Sequence, residues 1–249
     1  MQNKTITINA ERNVTLTCYL QGTGEGFGHL TKRPAVLIMP GGGYTHCSQR
    51  EADPVAFGFM KAGYQAFILR YTCIDLGAWP LPLQDYAEAV KIIESHCEEW
   101  QIDIHQLVSV GFSAGGHLAC AGALLTPYRP KALILGYALL TDEIKKYVPE
   151  CPSLIEHVDE HTPPSFLFAT ANDASVSVQN TLQFASALAE HAVMYECHIY
   201  PYGKHGYSTA DSCVQKDQDP LYSTVKNWLP DSILFCKEVF DPEHRTPAF

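Results

Sequence analysis

The segment GFSAG at residues 111–115 places a serine between two glycines, where one sequence pattern gives way to another. Residues 107–112 form an apolar run typical of a buried strand, and residues 114–125 form a small, apolar stretch typical of a buried helix. A G-x-S-x-G motif between a strand and a helix predicts a nucleophile elbow, a tight turn that exposes the serine hydroxyl at a helix N-terminus. The alternative is that Ser113 only caps the helix in a glycine-rich turn.

A serine nucleophile needs a general base, and the base needs a carboxylate to orient it. Asp173 and His205 follow the last two apolar, strand-like runs, so both are expected in loops at the sheet edge that carries Ser113. In this architecture the three residues occur in the order Ser, Asp or Glu, His. Ser113, Asp173 and His205 are therefore the predicted catalytic residues. Asp142, which also follows a predicted strand, is the alternative acid.

Three consecutive glycines at 41–43 follow the apolar run 34–39. Without Cβ atoms in the way, their backbone N–H groups can point into a cavity. The amides of Gly42 and Gly43, together with that of Ala114, are predicted to form an oxyanion hole for a tetrahedral intermediate. By itself a glycine triplet is more often a flexible turn, but its position after the third predicted strand favours the functional interpretation.

Other residues that could do chemistry carry weaker signals. The aromatic side chains of Tyr44, Tyr71 and Trp79 are candidates to line a substrate pocket, although aromatic residues at strand ends more often belong to the core. Cys47 has no paired histidine or helix N-terminus to activate it and is interpreted as a small packed thiol. Residues 157–161 match the H-x-x-E-H zinc-protease motif. Flanking prolines leave barely two helical turns there, so no metal site is predicted.

Short β-rich runs alternate with longer helical patterns along the chain. Strands are predicted at 6–8, 14–20, 34–39, 64–71, 107–112, 132–137, 165–171 and 195–200, and helices at 51–61, 83–97, 114–125, 178–190 and 221–237. This alternation predicts an α/β fold with a mostly parallel central sheet, helices on both faces and an antiparallel N-terminal edge. Residues 141–164 form a long connection without a strand pattern, expected to be a small cap or active-site loop. Residues 241–249 are expected to form a loose tail.

Composition limits the classes of function. The 249 residues are 46% hydrophobic and 18% charged, which excludes a disordered chain and suits a single domain over 1–249. The net charge of −10 and the lack of a Lys/Arg cluster argue against nucleic acid or an anionic membrane as a partner. No apolar run reaches the ~18 residues of a membrane span, and residues 1–13 lack a signal-peptide core. Nine scattered cysteines without a C-x-x-C pair favour a reducing cytoplasm. The sequence leaves open whether the chain is a monomer or a homo-oligomer.

Several stretches together resemble a known family. They are PGGGY (40–44), GFSAGGHLA (111–119), TPPSFLFATANDASV (162–176) and YPYGKHGYS (200–208). These stretches resemble the α/β-hydrolase esterases and lipases with an HGGG-type loop, and among them small bacterial acetyl-xylan or feruloyl esterase-like proteins and xylanase-B-like acetyl esterases. One departure is Pro40, where many relatives have histidine. Because the oxyanion donors are backbone amides, the hole should survive this change.

The resemblance implies the α/β-hydrolase fold, with Ser113 as nucleophile, His205 as base and Asp173 as acid. It implies hydrolysis of a small-molecule ester, with a short acyl group on a sugar or small alcohol, through an acyl-enzyme and without a cofactor. Two alternatives remain. One is a peptidase of the prolyl-oligopeptidase type, which shares this catalytic core. The other is a catalytically silent binding protein on the same fold, for which a broken triad would be expected.

Overall fold

The computed structural model describes residues 1–24, 26–27, 30–77, 79–215 and 218–241. Its strands are β1 (Gln2–Asn9), β2 (Val14–Leu20), β3 (Arg33–Met39), β4 (Gln65–Arg70), β5 (Ile102–Phe112), β6 (Ala132–Gly136), β7 (Ser165–Thr170) and β8 (Tyr195–Tyr200). They form one sheet in the order β1-β2-β4-β3-β5-β6-β7-β8. Strand β2 is antiparallel to both β1 and β4, and all other neighbours are parallel. The predicted mostly parallel sheet with an antiparallel N-terminal edge is confirmed.

Helices cover both faces of the sheet. They are α1 (Asp53–Lys61), α2 (Leu81–Ser95), α3 (Ser113–Leu125), α4 (Gln179–Glu190) and α5 (Trp228–Phe240). Leu37 of β3 packs in the core cluster shared with α2, α3 and α4, whereas its neighbours Val36 and Ile38 pack in the cluster shared with α1 and α5. Because side chains alternate across a strand, a strand covered on both faces is apolar throughout. None of the helices within the described ranges has the length and apolarity needed to cross a membrane.

The parallel strands bring the candidate functional residues to one edge. Strands β3, β5, β7 and β8 all end at the same side of the sheet. The glycine loop follows β3, Ser113 follows β5, Asp173 follows β7 and His205 follows β8. Ligands of open α/β sheets bind outside the carboxyl ends of the strands, so the topology gathers these loops where a site is expected.

Some predicted boundaries are wrong. The last helix begins at Trp228 rather than 221 and is preceded by a short 3-10 helix at Val225–Asn227. Pro230 lies in the first turn of this helix, where a missing N–H group breaks no helical hydrogen bond. Strand β5 begins at Ile102, five residues before the predicted start, because its first half is only partly buried and lacks a continuous apolar run. Of the tail predicted at 241–249, residues 242–249 lie outside the described residues.

Candidate active site

The turn from β5 into α3 is built by backbone-to-backbone packing. Ser113 has a φ of +52°, a left-handed conformation that is strained for a residue with a side chain. A Cβ atom on Gly115 would lie 2.2 Å from the carbonyl oxygen of Met39 and 2.3 Å from that of Pro40. A Cβ atom on Gly111 would lie 2.3 Å from the carbonyl oxygen of Gly115. Both glycines of the motif are therefore required by the close approach of β3 and by the turn itself.

Ser113, His205 and Asp173 form a continuous hydrogen-bonded chain. His205 Nε2 lies 3.0 Å from Ser113 Oγ, and His205 Nδ1 lies 2.6 Å from Asp173 Oδ2. The other carboxylate oxygen, Oδ1, accepts the backbone N–H groups of Ser175 and Val176 at 2.8 and 3.0 Å. The Asp173 carboxylate accepts a hydrogen bond from the Nδ1–H group of His205, which leaves Nε2 of the neutral imidazole to accept the hydrogen bond of the Ser113 hydroxyl. The arrangement has the geometry of a general base paired with a nucleophile.

Tyr137 connects the His205 ring to a buried carboxylate. Its ring packs edge-on against that of His205, with centroids 4.9 Å apart. Its hydroxyl donates to Glu51 Oε1 at 2.6 Å and accepts the backbone N–H of Ser208 at 3.1 Å. Burial and the nearby Glu51 carboxylate raise the pKa of Tyr137 well above its ordinary value, so the hydroxyl stays protonated and acts as a donor.

The glycine loop after β3 is held by the same carboxylate. The backbone N–H of Gly41 donates to Oε2 of Glu51 at 2.8 Å, and Glu51 is only 3% exposed. Gly42 has a φ of +132°, and a Cβ atom there would lie 2.1 Å from the carbonyl oxygen of His46. Within the described part of the chain, neither Gly42 nor Gly43 donates its backbone N–H to an acceptor. Both glycines line the cleft that also contains Ser113.

These groups share one cavity. Ser113, His205, Gly42 and Gly43 all line a cleft of about 460 Å³, which we call the nucleophile cleft. Ala114 is the second residue of α3, and the N–H groups in the first turn of a helix have no intrahelical acceptor. The structure thus brings the residues predicted as nucleophile, base and oxyanion donors to a single site. Such a site can bind a carbonyl group and attack it.

Comparison with known proteins identifies the family. Residues 28–150 match the BD-FAE family, and residues 136–231 match the prolyl oligopeptidase family. The solved structure of MGS-M1, an α/β-hydrolase enzyme from a Medee basin deep-sea metagenome library, is 35% identical. The match covers 97% of this chain and 98% of that chain with a TM-score of 0.90. This chain belongs to the α/β-hydrolase family.

Two relatives of this α/β-hydrolase have names that refer to xylan. Endo-1,4-beta-xylanase B of Butyrivibrio fibrisolvens is 32% identical, and the match covers 72% of this chain and 33% of that protein. Acetylxylan esterase of Xylanibacter ruminicola is 27% identical, and the match covers 90% of this chain and 50% of that protein. The hydrolase therefore spans a third to a half of the length of these relatives. The resemblance to acetyl-xylan esterase-like proteins is confirmed.

The three aromatic pocket candidates have different positions in the hydrolase. Tyr44 and Trp79 line a second cavity of about 270 Å³, which we call the aromatic cavity. Tyr71 is 2% exposed and its hydroxyl donates to the carbonyl oxygen of Pro40 at 2.6 Å. Tyr71 lines neither this cavity nor the nucleophile cleft; its side chain packs in the core and anchors the start of the glycine loop.

A buried histidine fixes the wall of the aromatic cavity. Tyr44 has a φ of +61°, and its hydroxyl lies 2.9 Å from Nδ1 of His117. Nε2 of His117 donates to the carbonyl oxygen of Pro152 at 3.0 Å. Burial lowers the pKa of His117 to about 4, so the ring is neutral and its Nδ1 accepts the Tyr44 hydroxyl. The Trp79 ring packs edge-on against Tyr44 and His117, with centroids 6.3 and 5.3 Å apart.

The alternative acid and the cysteine candidate lie outside the chain of hydrogen bonds. The Asp142 side chain is 70% exposed and forms an ion pair with Lys145 at 2.6 Å. The neighbouring Cys73 thiol and burial both raise the pKa of Cys47, which disfavours the thiolate that a nucleophilic cysteine needs. Asp173, rather than Asp142, is therefore the carboxylate that contacts the histidine.

The H-x-x-E-H segment does not form a two-turn helix. His157 ends a short 3-10 helix at Ile155–His157, while the His161 side chain lies beyond it and is 69% exposed. Among the described residues, no group of three or more histidine, cysteine or acidic side chains is arranged to hold a metal ion. The motif is part of the connection that leads into the start of β7.

Three residues around the cleft are not predicted by the sequence. Glu51 falls at the start of a predicted helix, Tyr137 at the end of a predicted strand, and Tyr147 in the connection 141–164. Of these three residues, only Tyr147 lies in a segment that the sequence marks as functional, because the connection 141–164 is expected above the carboxyl ends of the strands. Glu51 and Tyr137 are buried and hydrogen-bonded to each other although they lie 86 positions apart in the chain, and no local sequence pattern reports such a contact.

Proposed function

We propose that this α/β-hydrolase cleaves short-chain carboxylic esters through an acyl-enzyme on Ser113. His205 takes the proton of the Ser113 hydroxyl as its oxygen attacks the ester carbonyl, and then delivers that proton to the leaving alcohol. Asp173 orients the imidazole and stabilises its cation. Water, deprotonated by His205, then attacks the acyl-enzyme and releases the acid. The observation that carries this proposal is the Ser113–His205–Asp173 hydrogen-bond chain opening into a cleft beside two unpaired amides.

The amides of Gly42, Gly43 and Ala114 are the proposed donors to the oxyanion. Negative charge develops on the carbonyl oxygen when the tetrahedral intermediate forms, and donors already in place stabilise it without reorganisation. Each such donor contributes about 3 kcal/mol in comparable acyl-transfer enzymes. The reaction uses only groups of the chain and water.

Acetylated sugars are the proposed substrates, with other small acetylated alcohols as an alternative. One relative is named as an acetylxylan esterase and another as a xylanase. The cleft lining is consistent with a hydroxyl-rich alcohol, because Thr45, Ser48 and Arg50 line it with polar groups.

Hydrolysis of a p-nitrophenyl ester series, acetate through octanoate, tests the proposal with wild type and Ser113→Ala side by side. The proposal requires fast acetate turnover that falls with chain length and is lost in Ser113→Ala. Release of acetate from acetylated xylo-oligosaccharides then tests the sugar. An unchanged rate in a folded Ser113→Ala variant contradicts the mechanism, and a maximum at octanoate contradicts the short-acyl assignment.

A peptidase is the second candidate, because the segment that contains Asp173 and His205 matches the prolyl oligopeptidase family. An amide leaving group needs the same nucleophile and proton transfer. A prolyl p-nitroanilide assayed under the conditions of the ester series distinguishes the two candidates. Turnover of the anilide without ester hydrolysis would favour the peptidase.

A further inference from the structure

Tyr147 separates the nucleophile cleft from the aromatic cavity. It lines both cavities, and a methyl group placed on Gly43 would lie 3.7 Å from its Cδ1 atom. The ring therefore stands directly beside the glycine loop, with Ser113 on one side and the rings of Tyr44 and Trp79 on the other.

The side chain of Tyr147 is only weakly held in place. Among the described residues, its side chain has one hydrogen bond, from its hydroxyl to the carbonyl oxygen of Ser175 at 3.2 Å, and the residue is 40% exposed. It follows the short 3-10 helix Asp142–Lys146 of the connecting segment and belongs to neither the sheet nor a long helix. A shorter side chain at position 147 would open a passage between the two cavities without removing contacts in the hydrophobic core.

The aromatic cavity on the far side of Tyr147 is already formed. Its wall is fixed by the Tyr44–His117 hydrogen bond and by the packing of Trp79, none of which involves Tyr147. Apolar side chains such as Pro82 dominate its lining. Its volume of about 270 Å³ exceeds the roughly 150 Å³ that admits benzene in an engineered protein cavity. The space suits an alkyl chain or a flat apolar group.

In a bound ester, the position of the leaving alcohol determines where the acyl group points. The leaving alcohol must face Nε2 of His205, because that atom delivers its proton. Beyond His205 lies a polar cavity lined by Arg50 and Lys204, which suits a sugar. The acyl group then points away from His205, along Gly43 and toward the ring of Tyr147.

We propose that Tyr147 determines acyl-chain specificity, acting as a wall that limits the acyl group to a short chain, and that the aromatic cavity behind it is a subsite for longer apolar acyl groups that this wall keeps out of reach. This inference rests on the proposed ester hydrolysis. It adds that chain-length preference is set by one side chain and not by the shape of the whole cleft.

The test compares Tyr147→Ala and Tyr147→Phe on p-nitrophenyl acetate and hexanoate. Tyr147→Ala is expected to raise the hexanoate-to-acetate ratio of kcat/KM by about tenfold or more, since even one accommodated methylene changes specificity by about 10- to 200-fold. Tyr147→Phe keeps the ring, loses only the bond to Ser175 and should leave the ratio unchanged. Thermal melting reports whether each variant folds, and Tyr147→Leu replaces Tyr147→Ala if the latter does not.

A second variant tests whether the gain in hexanoate turnover depends on the aromatic cavity. Trp79→Ala should lower hexanoate turnover by a larger factor in the Tyr147→Ala background, where the chain reaches that wall, than when Tyr147 is present. An unchanged ratio in a folded Tyr147→Ala protein, or a gain that is insensitive to Trp79→Ala, overturns the inference. Failure of the wild type to hydrolyse acetate overturns the proposed function instead, so the two failures are distinguishable.

Discussion

The backbone N–H of Gly41 donates to the Glu51 carboxylate at 2.8 Å, so a buried acidic side chain holds the loop that carries the proposed oxyanion donors. The other carboxylate oxygen accepts the Tyr137 hydroxyl. That hydroxyl in turn accepts the N–H of Ser208, three positions after His205. Glu51 therefore connects the glycine loop to the histidine loop across the cleft and positions both relative to Ser113.

Removal of this connection should slow the chemistry more than it weakens binding. Glu51→Ala is expected to lower kcat about 100-fold with little change in KM, because small displacements of transition-state donors are costly. Glu51→Gln keeps one acceptor for two donors and should lose less. Steady-state kinetics on p-nitrophenyl acetate provide the measurement, with the exposed Glu11→Gln as control. A Glu51→Ala protein with wild-type kcat would show that the loop holds its shape without the carboxylate.

The two candidate acids are distinguished by a matched pair of substitutions. Asp173→Asn should lower kcat about 10⁴-fold, because an amide no longer fixes the imidazole tautomer that accepts the serine proton. Asp142→Asn removes only an exposed ion pair and should leave kcat unchanged. The same ester assay measures both variants. If the Asp142 variant were the slow one, the acid would be misassigned.

Glycine 115 provides a test of the elbow packing. In Gly115→Ala the new methyl group meets two backbone carbonyl oxygens at 2.2 and 2.3 Å, so the end of β3 or the turn must move. Overpacking of this kind costs about 3 kcal/mol, and the displacement should also reduce activity. Gly22→Ala is the matched control, since nothing lies within 4 Å of its added Cβ atom. Urea unfolding of both variants checks the prediction, and equal stability would contradict the packing described above.

His117 should make stability depend on pH in a defined window. Its pKa falls from 6.5 to about 4 in the folded protein, so between these values only the unfolded chain binds the proton. Lowering the pH through this window should cost the wild type on the order of 3 kcal/mol from this residue alone. His117→Gln lacks that titration, so its deficit in unfolding free energy relative to wild type should shrink between pH 7 and pH 4.5. A deficit that stays constant would mean that His117 titrates normally.

Sequence patterns predict the architecture and the placement of the candidate site well. The apolar runs at 34–39 and 165–171 mark strands buried on both faces, and such strands occur in parallel sheets. Once the strands are parallel, the residues that follow them must share an edge. Ser113, Asp173 and His205 were placed together on this basis, and in the structure they form one hydrogen-bond chain.

The supporting residues could not be predicted from the same patterns. Glu51 has the sequence context of a surface helix start, and only the folded chain shows that it is 3% exposed with two donors on its carboxylate. Tyr71 and Tyr44 look alike as aromatics near the strand ends and both are 2% exposed, yet of the two only Tyr44 lines the aromatic cavity. Burial and partner identity depend on distant parts of the chain, which local periodicity does not describe.

The identity of the nucleophile is tested most directly by intact mass spectrometry after treatment with a fluorophosphonate. Attack of the Ser113 oxygen on phosphorus expels fluoride and leaves a stable adduct, which requires both the serine and its base. One adduct per chain is expected for the wild type, located by peptide mapping within residues 111–119, and none for folded Ser113→Ala. An unmodified wild-type chain, or an adduct that persists in Ser113→Ala, would contradict the assignment of Ser113 as the nucleophile.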